Sequence, residues 1–275
     1  MKKNSFVEGT IIATVAIIIV KLLGMLYIIP FYATVGSRGS ALYGYAYNIY
    51  NIFLEISAAG LPIAMSKIIN EYNTLGLNEA KVRAFKMGKK LITYISLFCF
   101  VLLFVFAREI GMLILGDLSG GNTIEDVAFV VRCVSFAVLV IPFLSISKGY
   151  LQGHKYIGPT SASLIIEQLV RIAIIIIGSF LAFKVFDLGL TNAVGVAVFG
   201  AFVGGAIAYL YILRKMRQNK EKLGLIKYET KDNVSNKEII KKIVSYAVPF
   251  IIINIAVTLY SFVNMVLIPV YRRCT

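Results

Sequence analysis

Apolar runs long enough to cross a bilayer alternate with polar connections along almost the whole chain. A spanning helix needs about 20 apolar residues at about 1.5 Å each. Seven stretches meet this: Ile11 to Tyr32, Ala41 to Ile63, Leu91 to Leu115, Ala128 to Ser147, Pro159 to Phe183, Ala193 to Leu213 and Ile243 to Val270. Arg108 and Glu109 interrupt the third near its end, and Pro249 and Pro269 bracket the last. The first contains Lys21, is long for a signal-peptide core and lacks a small-residue cleavage site, so it reads as a retained helix. The pattern predicts an all-α integral membrane protein.

Composition agrees. Of 275 residues, 59% are hydrophobic and 15% charged, against about 25% charged in an ordinary soluble domain, and the mean hydropathy is +0.82. This excludes a water-soluble globule, and also a disordered chain, which needs low hydrophobicity. The formal net charge of +14 would suit a nucleic-acid partner, but its placement accounts for it otherwise. Alternate connections, holding Lys2 and Lys3, Lys67 to Lys90, Lys148 and Lys155, and Arg214 to Lys242, carry 20 of the 28 Lys and Arg residues and seven of the 14 acids. The opposite set has only Arg38, Lys184, the interfacial Arg108, and Arg272 and Arg273. Basic connections stay inside, so the amino terminus is cytoplasmic and no nucleic acid is expected.

Two inner connections are long. Lys67 to Lys90 has Ile68, Ile69, Tyr72 and Leu75 at helical spacing, which predicts a helix lying at the membrane surface. Arg214 to Lys242 divides the chain into a six-helix lobe over 1–213, a basic cytoplasmic linker over 214–242, and the first helix of a second lobe over 243–275. Ending there leaves two arginines outside, which predicts a fragment or a truncated reading frame.

Ionisable groups inside a membrane cost about 2.5–3.5 kcal/mol each on insertion scales and are functional candidates by default. Lys21 lies near the midplane of the first helix, facing a water-filled cavity or paired with an acid such as Glu55 of the second. Glu167 and Arg171, four apart in the fifth helix, share a face. They form either a self-neutralised pair or an arginine fork held ready for an anionic head group. Arg132 begins the fourth helix and either joins such a site or snorkels to the interface, and Asn264 in the seventh could hydrogen-bond between helices. Tyr43, Tyr47 and Tyr50 fall on one face, as an interfacial belt or a stacking surface. Gly200 and Gly204 form a GxxxG close-packing face. Cys99, Cys133 and Cys274 are too scattered for a metal site or disulfide framework. No phosphate-cradling GxxxxGK[ST] loop is present, and His154 is the single histidine; neither an enzyme nor a cofactor is expected.

Three blocks in order resemble the multidrug/oligosaccharidyl-lipid/polysaccharide flippase superfamily, nearest its branch of stage V sporulation protein B and the Gram-positive lipid II flippases. They are Lys21-Leu22-Leu23-Gly24 with Val35-Gly36-Ser37-Arg38-Gly39 and Ala41-Leu42-Tyr43; Ala59-Gly60-Leu61-Pro62-Ile63-Ala64-Met65-Ser66-Lys67; and Gly149-Tyr150-Leu151-Gln152-Gly153 with Pro159-Thr160, Glu167-Gln168 and Arg171. The resemblance spans this chain but about the first half of the family pattern. It implies two six-helix lobes around a cavity whose cations bind the pyrophosphate of an undecaprenyl-linked sugar. Lys21 stands where better-studied lipid II flippases carry an arginine; Tyr27 and Leu54-Glu55 stand where they carry others.

The expectation is therefore a flippase for a lipid-linked oligosaccharide or peptidoglycan precursor in the bacterial cell membrane, serving envelope or spore-cortex synthesis. Its partners are that anionic sugar lipid and membrane lipids, with self-association if the chain is complete. A cation-coupled multidrug extruder using Glu55 or Glu167 is the first alternative, and a non-transporting assembly partner or truncated product the second.

Overall fold

A computed structural model describes residues 3–58, 60–115, 121–226 and 232–274, and every regular element among them is helical. α1 (Phe6–Leu26) begins with a capping box: the Glu8 N–H donates to Ser5 Oγ at 3.2 Å, and the Ser5 N–H to the Glu8 carboxylate at 3.4 Å. α2 (Ile28–Ala58) is broken at Gly36, whose φ of 68° and ψ of −168° suit a residue without a Cβ. Tyr27 keeps helical dihedrals and Phe31 N–H donates to its carbonyl, so 28–35 prolong α1. The first two apolar stretches are thus separated at Gly36.

Among the described residues, six helices are long and apolar enough to cross a membrane: Val7–Leu26, Asn78–Val105, Ile124–Gly153, Ile157–Val185, Leu190–Gln218 and Asn236–Val257. The second of the seven expected stretches is the exception. It is helical as far as Ala58, but Tyr43, Tyr47, Asn48, Asn51 and Glu55 dilute its apolar character, and α3 (Leu61–Thr74) starts afresh behind Gly60. The third splits at Phe106 into α4 (Asn78–Val105) and α5 (Ala107–Leu115). α6 (Ile124–Gly153) runs unbroken through Pro142. α7 (Ile157–Ala173) widens into π turns at Ile174–Gly178 and Leu181–Val185. α8 (Leu190–Gln218) and α9 (Asn236–Cys274) follow, α9 starting at Asn236 rather than Ile243.

α6 is the axis of the bundle, with α2, α3, α4, α5 and α8 packed around it. Close approach is made by glycines. A Cβ on Gly149 would lie 2.5 Å from the Pro62 carbonyl oxygen, and one on Gly153 2.8 Å from that of Ser66, so the Gly149–Gly153 block is what seats α3 on α6. α3 does not lie on the membrane surface. Its Ile68, Ile69 and Tyr72 are buried against α4, α6 and α9, and Leu75 alone of the expected stripe is exposed. Burying that face against protein removes it from water as fully as a bilayer would.

The connection between α8 and α9 is docked where it is described. Tyr150 Oη donates to the Leu223 carbonyl at 2.7 Å. Ala80 N–H donates to the Asp232 carboxylate and Asp232 N–H to that of Glu79, both at 2.8 Å, and Arg83 donates to the Val234 carbonyl at 2.8 Å. The Ala80 contact uses a free N–H group in the first turn of α4.

Candidate functional site

Glu167 and Arg171, one turn apart on α7, form an ion pair at 2.8 Å. Lys148 of α6 reaches the other Glu167 oxygen at 3.2 Å. The three side chains are only 13–14% exposed, and Arg171 stands about 21 Å along α7 from its start. Their charges sum to +1, so one buried cation has no counter-anion in the cluster. α7 comes this close to α8 because of Gly200 and Gly204: a Cβ on Gly204 would lie 2.6 Å from the Glu167 carbonyl oxygen, and one on Gly200 3.2 Å from that of Arg171. The GxxxG face therefore positions the charged turn. Gly195 and Gly205 on the same helix press instead against Phe129 and Ile141 of α6.

α2 supplies the opposite wall. Tyr43, Tyr47 and Tyr50 lie in the field of Arg171. Tyr43 stacks on Tyr47 with centroids 5.8 Å apart, Tyr47 meets Tyr50 at 5.9 Å, and Tyr27 meets the edge of Tyr43 at 6.5 Å. Tyr43 and Tyr50 are buried, whereas Tyr27 and Tyr47 are half-buried. Tyr50 Oη and Arg171 Nε are buried without a well-formed hydrogen bond.

The other expected residues separate from this cluster. Lys21 is exposed on α1 and Glu55 half-buried on α2, and neither forms an ion pair among the described residues, so the expected Lys21–Glu55 pairing is absent. The reason is geometric: α1 packs on α7 and scarcely on α2. Glu55 instead continues the half-buried stripe of Tyr47 and Asn51. Arg132 Nε donates to the Phe104 carbonyl at 3.3 Å, satisfying an orphan acceptor at the end of α4. It lies 16 residues from Lys148 on α6, about 24 Å, and joins nothing at Arg171. Asn264 falls in a part of α9 whose side chains lie outside the described residues.

Lys148 is the member that sequence reasoning missed, having been counted among connecting cations because α6 was expected to stop at Ser147. Among the described residues no group of His, Cys, Asp and Glu is placed to hold a metal. His154 is 3% exposed beside Tyr150 and Tyr156. Burial, with Lys81 and Lys3 nearby, pushes its imidazole down to about 3, so it is neutral near pH 7.

Residues 6–273 match the model of a family described as polysaccharide biosynthesis protein. Lipid II flippase MurJ of Bacillus subtilis (strain 168) is 36% identical over 264 residues, covering 95% of this chain and 48% of that protein. Stage V sporulation protein B of the same organism is 24% identical over 214 residues, 77% of this chain and 39% of that one. The chain spans about half the length of the curated relatives it matches. Two solved structures share the fold. A MOP superfamily transporter from Pyrococcus furiosus has a TM-score of 0.69 at 15% identity, over 95% of this chain and 57% of its own. An outward-facing MATE family transporter of the MOP superfamily has 0.70 at 14%, with the same coverage. The flippase-superfamily resemblance and the multi-pass membrane fold are thereby upheld, and the chain belongs to the polysaccharide biosynthesis protein family.

Proposed function

We propose that this chain carries the head-group-binding lobe of a flippase that moves an undecaprenyl-pyrophosphate-linked sugar, an oligosaccharide or a peptidoglycan precursor, from the cytoplasmic to the outer leaflet. The carrying observation is the net positive charge of the buried Lys148–Glu167–Arg171 cluster, beside a tyrosine ladder. A surplus buried cation is costly and a pyrophosphate would neutralise it, with the arginine fork donating two charge-assisted hydrogen bonds. Tyr27 and Tyr47 then offer ring faces to the sugar.

A polar head group cannot cross hydrocarbon unaided, whereas its prenyl tail is at home there. A cavity that takes the head group and leaves the tail between helices removes most of the barrier. This lobe, with α9 as the first helix of a second across the 214–242 linker, would rock about that site to expose it to either leaflet. An ion gradient or the membrane potential would drive it, a charge crossing 100 mV being worth about 2.3 kcal/mol.

The test is a titration of the detergent-solubilised protein with undecaprenyl-pyrophosphate-linked disaccharide, followed by native mass spectrometry. Arg171→Gln is expected to weaken retention at least about tenfold, the scale of one lost charge-assisted hydrogen bond; undiminished retention overturns the assignment. One observation favours a second reading: Glu55 is half-buried and forms no ion pair among the described residues, as a cation-coupled multidrug extruder would require. Tighter binding of tetraphenylphosphonium than of the sugar lipid, lost in Glu55→Gln, would select it.

A further inference from the structure

At the end of the bundle that carries the basic excess, α1, α3 and the α6–α7 turn border an open cavity of about 710 Å³. That is a size typical of small-ligand sites. Thr10, Ser66, Asn70 and Gln152 give it hydroxyl and amide groups, and its charged lining residues are Lys67 and Lys155. Neither lysine is paired with a carboxylate among the described residues. The Lys67 ammonium sits 4.0 Å from the centroid of the Tyr246 ring of α9, a contact that orients the charge without cancelling it.

The backbone at Lys155 supplies a second, independent observation. α6 ends in a Schellman turn: Tyr156 N–H donates to the Leu151 carbonyl at 2.9 Å and Lys155 N–H to that of Gln152 at 2.8 Å. The residue at this position is left-handed and ordinarily glycine, yet here it is a lysine with φ 64°. A side chain in that region costs about 1–2 kcal/mol. Strain of this kind persists where the surroundings impose it and clusters at ligand sites. Asn4 fixes the same turn from the other side, its side chain accepting from the Ile157 N–H and its N–H donating to the Lys155 carbonyl. The turn is thus held with Lys155 at the rim of the cavity.

We propose that this cavity binds a phosphate-bearing head group at the cytoplasmic face, gripped by Lys67 and Lys155 and hydrogen-bonded by the Asn70 and Gln152 amides. Two sources share that chemistry: an anionic phospholipid, and the pyrophosphate of a lipid-linked sugar. The cavity and the Arg171 cluster use different residues, so each assignment stands or falls alone.

The experiment uses the whole chain, with inorganic pyrophosphate by calorimetry and with mixed phosphatidylcholine/phosphatidylglycerol micelles by native mass spectrometry. Lys155→Gly relieves the strain, so its Tm is expected to hold or rise, while its pyrophosphate Kd weakens about tenfold. Lys155→Arg retains binding, and Lys67→Gln loses it as Lys155→Gly does. Loss of retained phosphatidylglycerol in the same two variants assigns a phospholipid; loss of pyrophosphate binding alone assigns the sugar-lipid diphosphate. Wild-type binding of both probes in Lys155→Gly and Lys67→Gln overturns the proposal, as does equal retention of phosphatidylcholine and phosphatidylglycerol by the unaltered chain. All variants are read in an Arg171→Gln background, which removes the other pyrophosphate site and leaves this one untouched, so the two assignments are separated.

Discussion

Lys21 and Arg171 are both cations deep in apolar helices, and in the sequence they invite the same question. The structure answers it differently for each. Arg171 lies at a crowded crossing, where α8 glycines draw α7 in, α6 contributes Lys148 and α2 contributes tyrosines. Lys21 sits on a helix packed along one side only and remains exposed there. A buried charge must be organised by its neighbours, whereas an exposed one needs no such partners. Depth in the membrane thus nominates a residue, and helix packing decides which kind of site it makes.

The sharpest way to break this contrast is to push α7 off α8. Gly204→Leu would drive a side chain into the Glu167 backbone, 2.6 Å from where its Cβ would start. Ordinary overpacking costs about 1–3 kcal/mol; here the obstacle is backbone, and loss of a monodisperse folded peak in size-exclusion chromatography is expected. Next in size is Glu167→Gln, which leaves Lys148 and Arg171 facing each other and should destabilise by about 3–5 kcal/mol in thermal unfolding. Adding Lys148→Gln should recover part of that loss, and no recovery would mean that the three charges are not one unit.

A smaller effect belongs to His154. Its imidazole is held down to about 3 when folded but takes up a proton near 6.5 when unfolded. The unfolded state therefore binds the extra proton between those values, and stability falls as pH drops through that window, by at most about 1.4 kcal/mol per pH unit. Unfolding midpoints from pH 7 to 4 should show this slope, reduced in His154→Gln. Smallest is Lys21→Ala, expected within about 0.5 kcal/mol of the parent because no ion pair is lost. A larger drop in its unfolding midpoint would erase the distinction between the two cations.

Much of this was legible in the sequence, and the exceptions have physical causes. The spans, the Glu167–Arg171 pairing and the GxxxG face follow from one helix at a time, where spacing fixes who shares a face. Lys148 was hidden because a lysine near a helix end looks like a connecting cation until the helix is seen to run to Gly153. The amphipathic α3 suggested a membrane surface, since an apolar stripe does not say whether lipid or protein covers it. Lys21 and Glu55 looked complementary by charge, but which helices are neighbours is a property of the whole bundle. The Gly60–Pro62 and Gly149–Gly153 blocks carried the family resemblance, and their close backbone contacts appear only once α3 and α6 are in place.

The central claim is that Arg171 receives the anionic head group. It is tested most directly by the ¹⁵N–³¹P dipolar coupling between arginine-labelled protein in nanodiscs and bound undecaprenyl pyrophosphate. The account predicts a guanidinium nitrogen within about 4 Å of phosphorus, as charge-assisted hydrogen bonds require, and loss of that coupling in Arg171→Lys. The same coupling persisting in Arg171→Lys would contradict it, because the phosphate would then rest on another arginine.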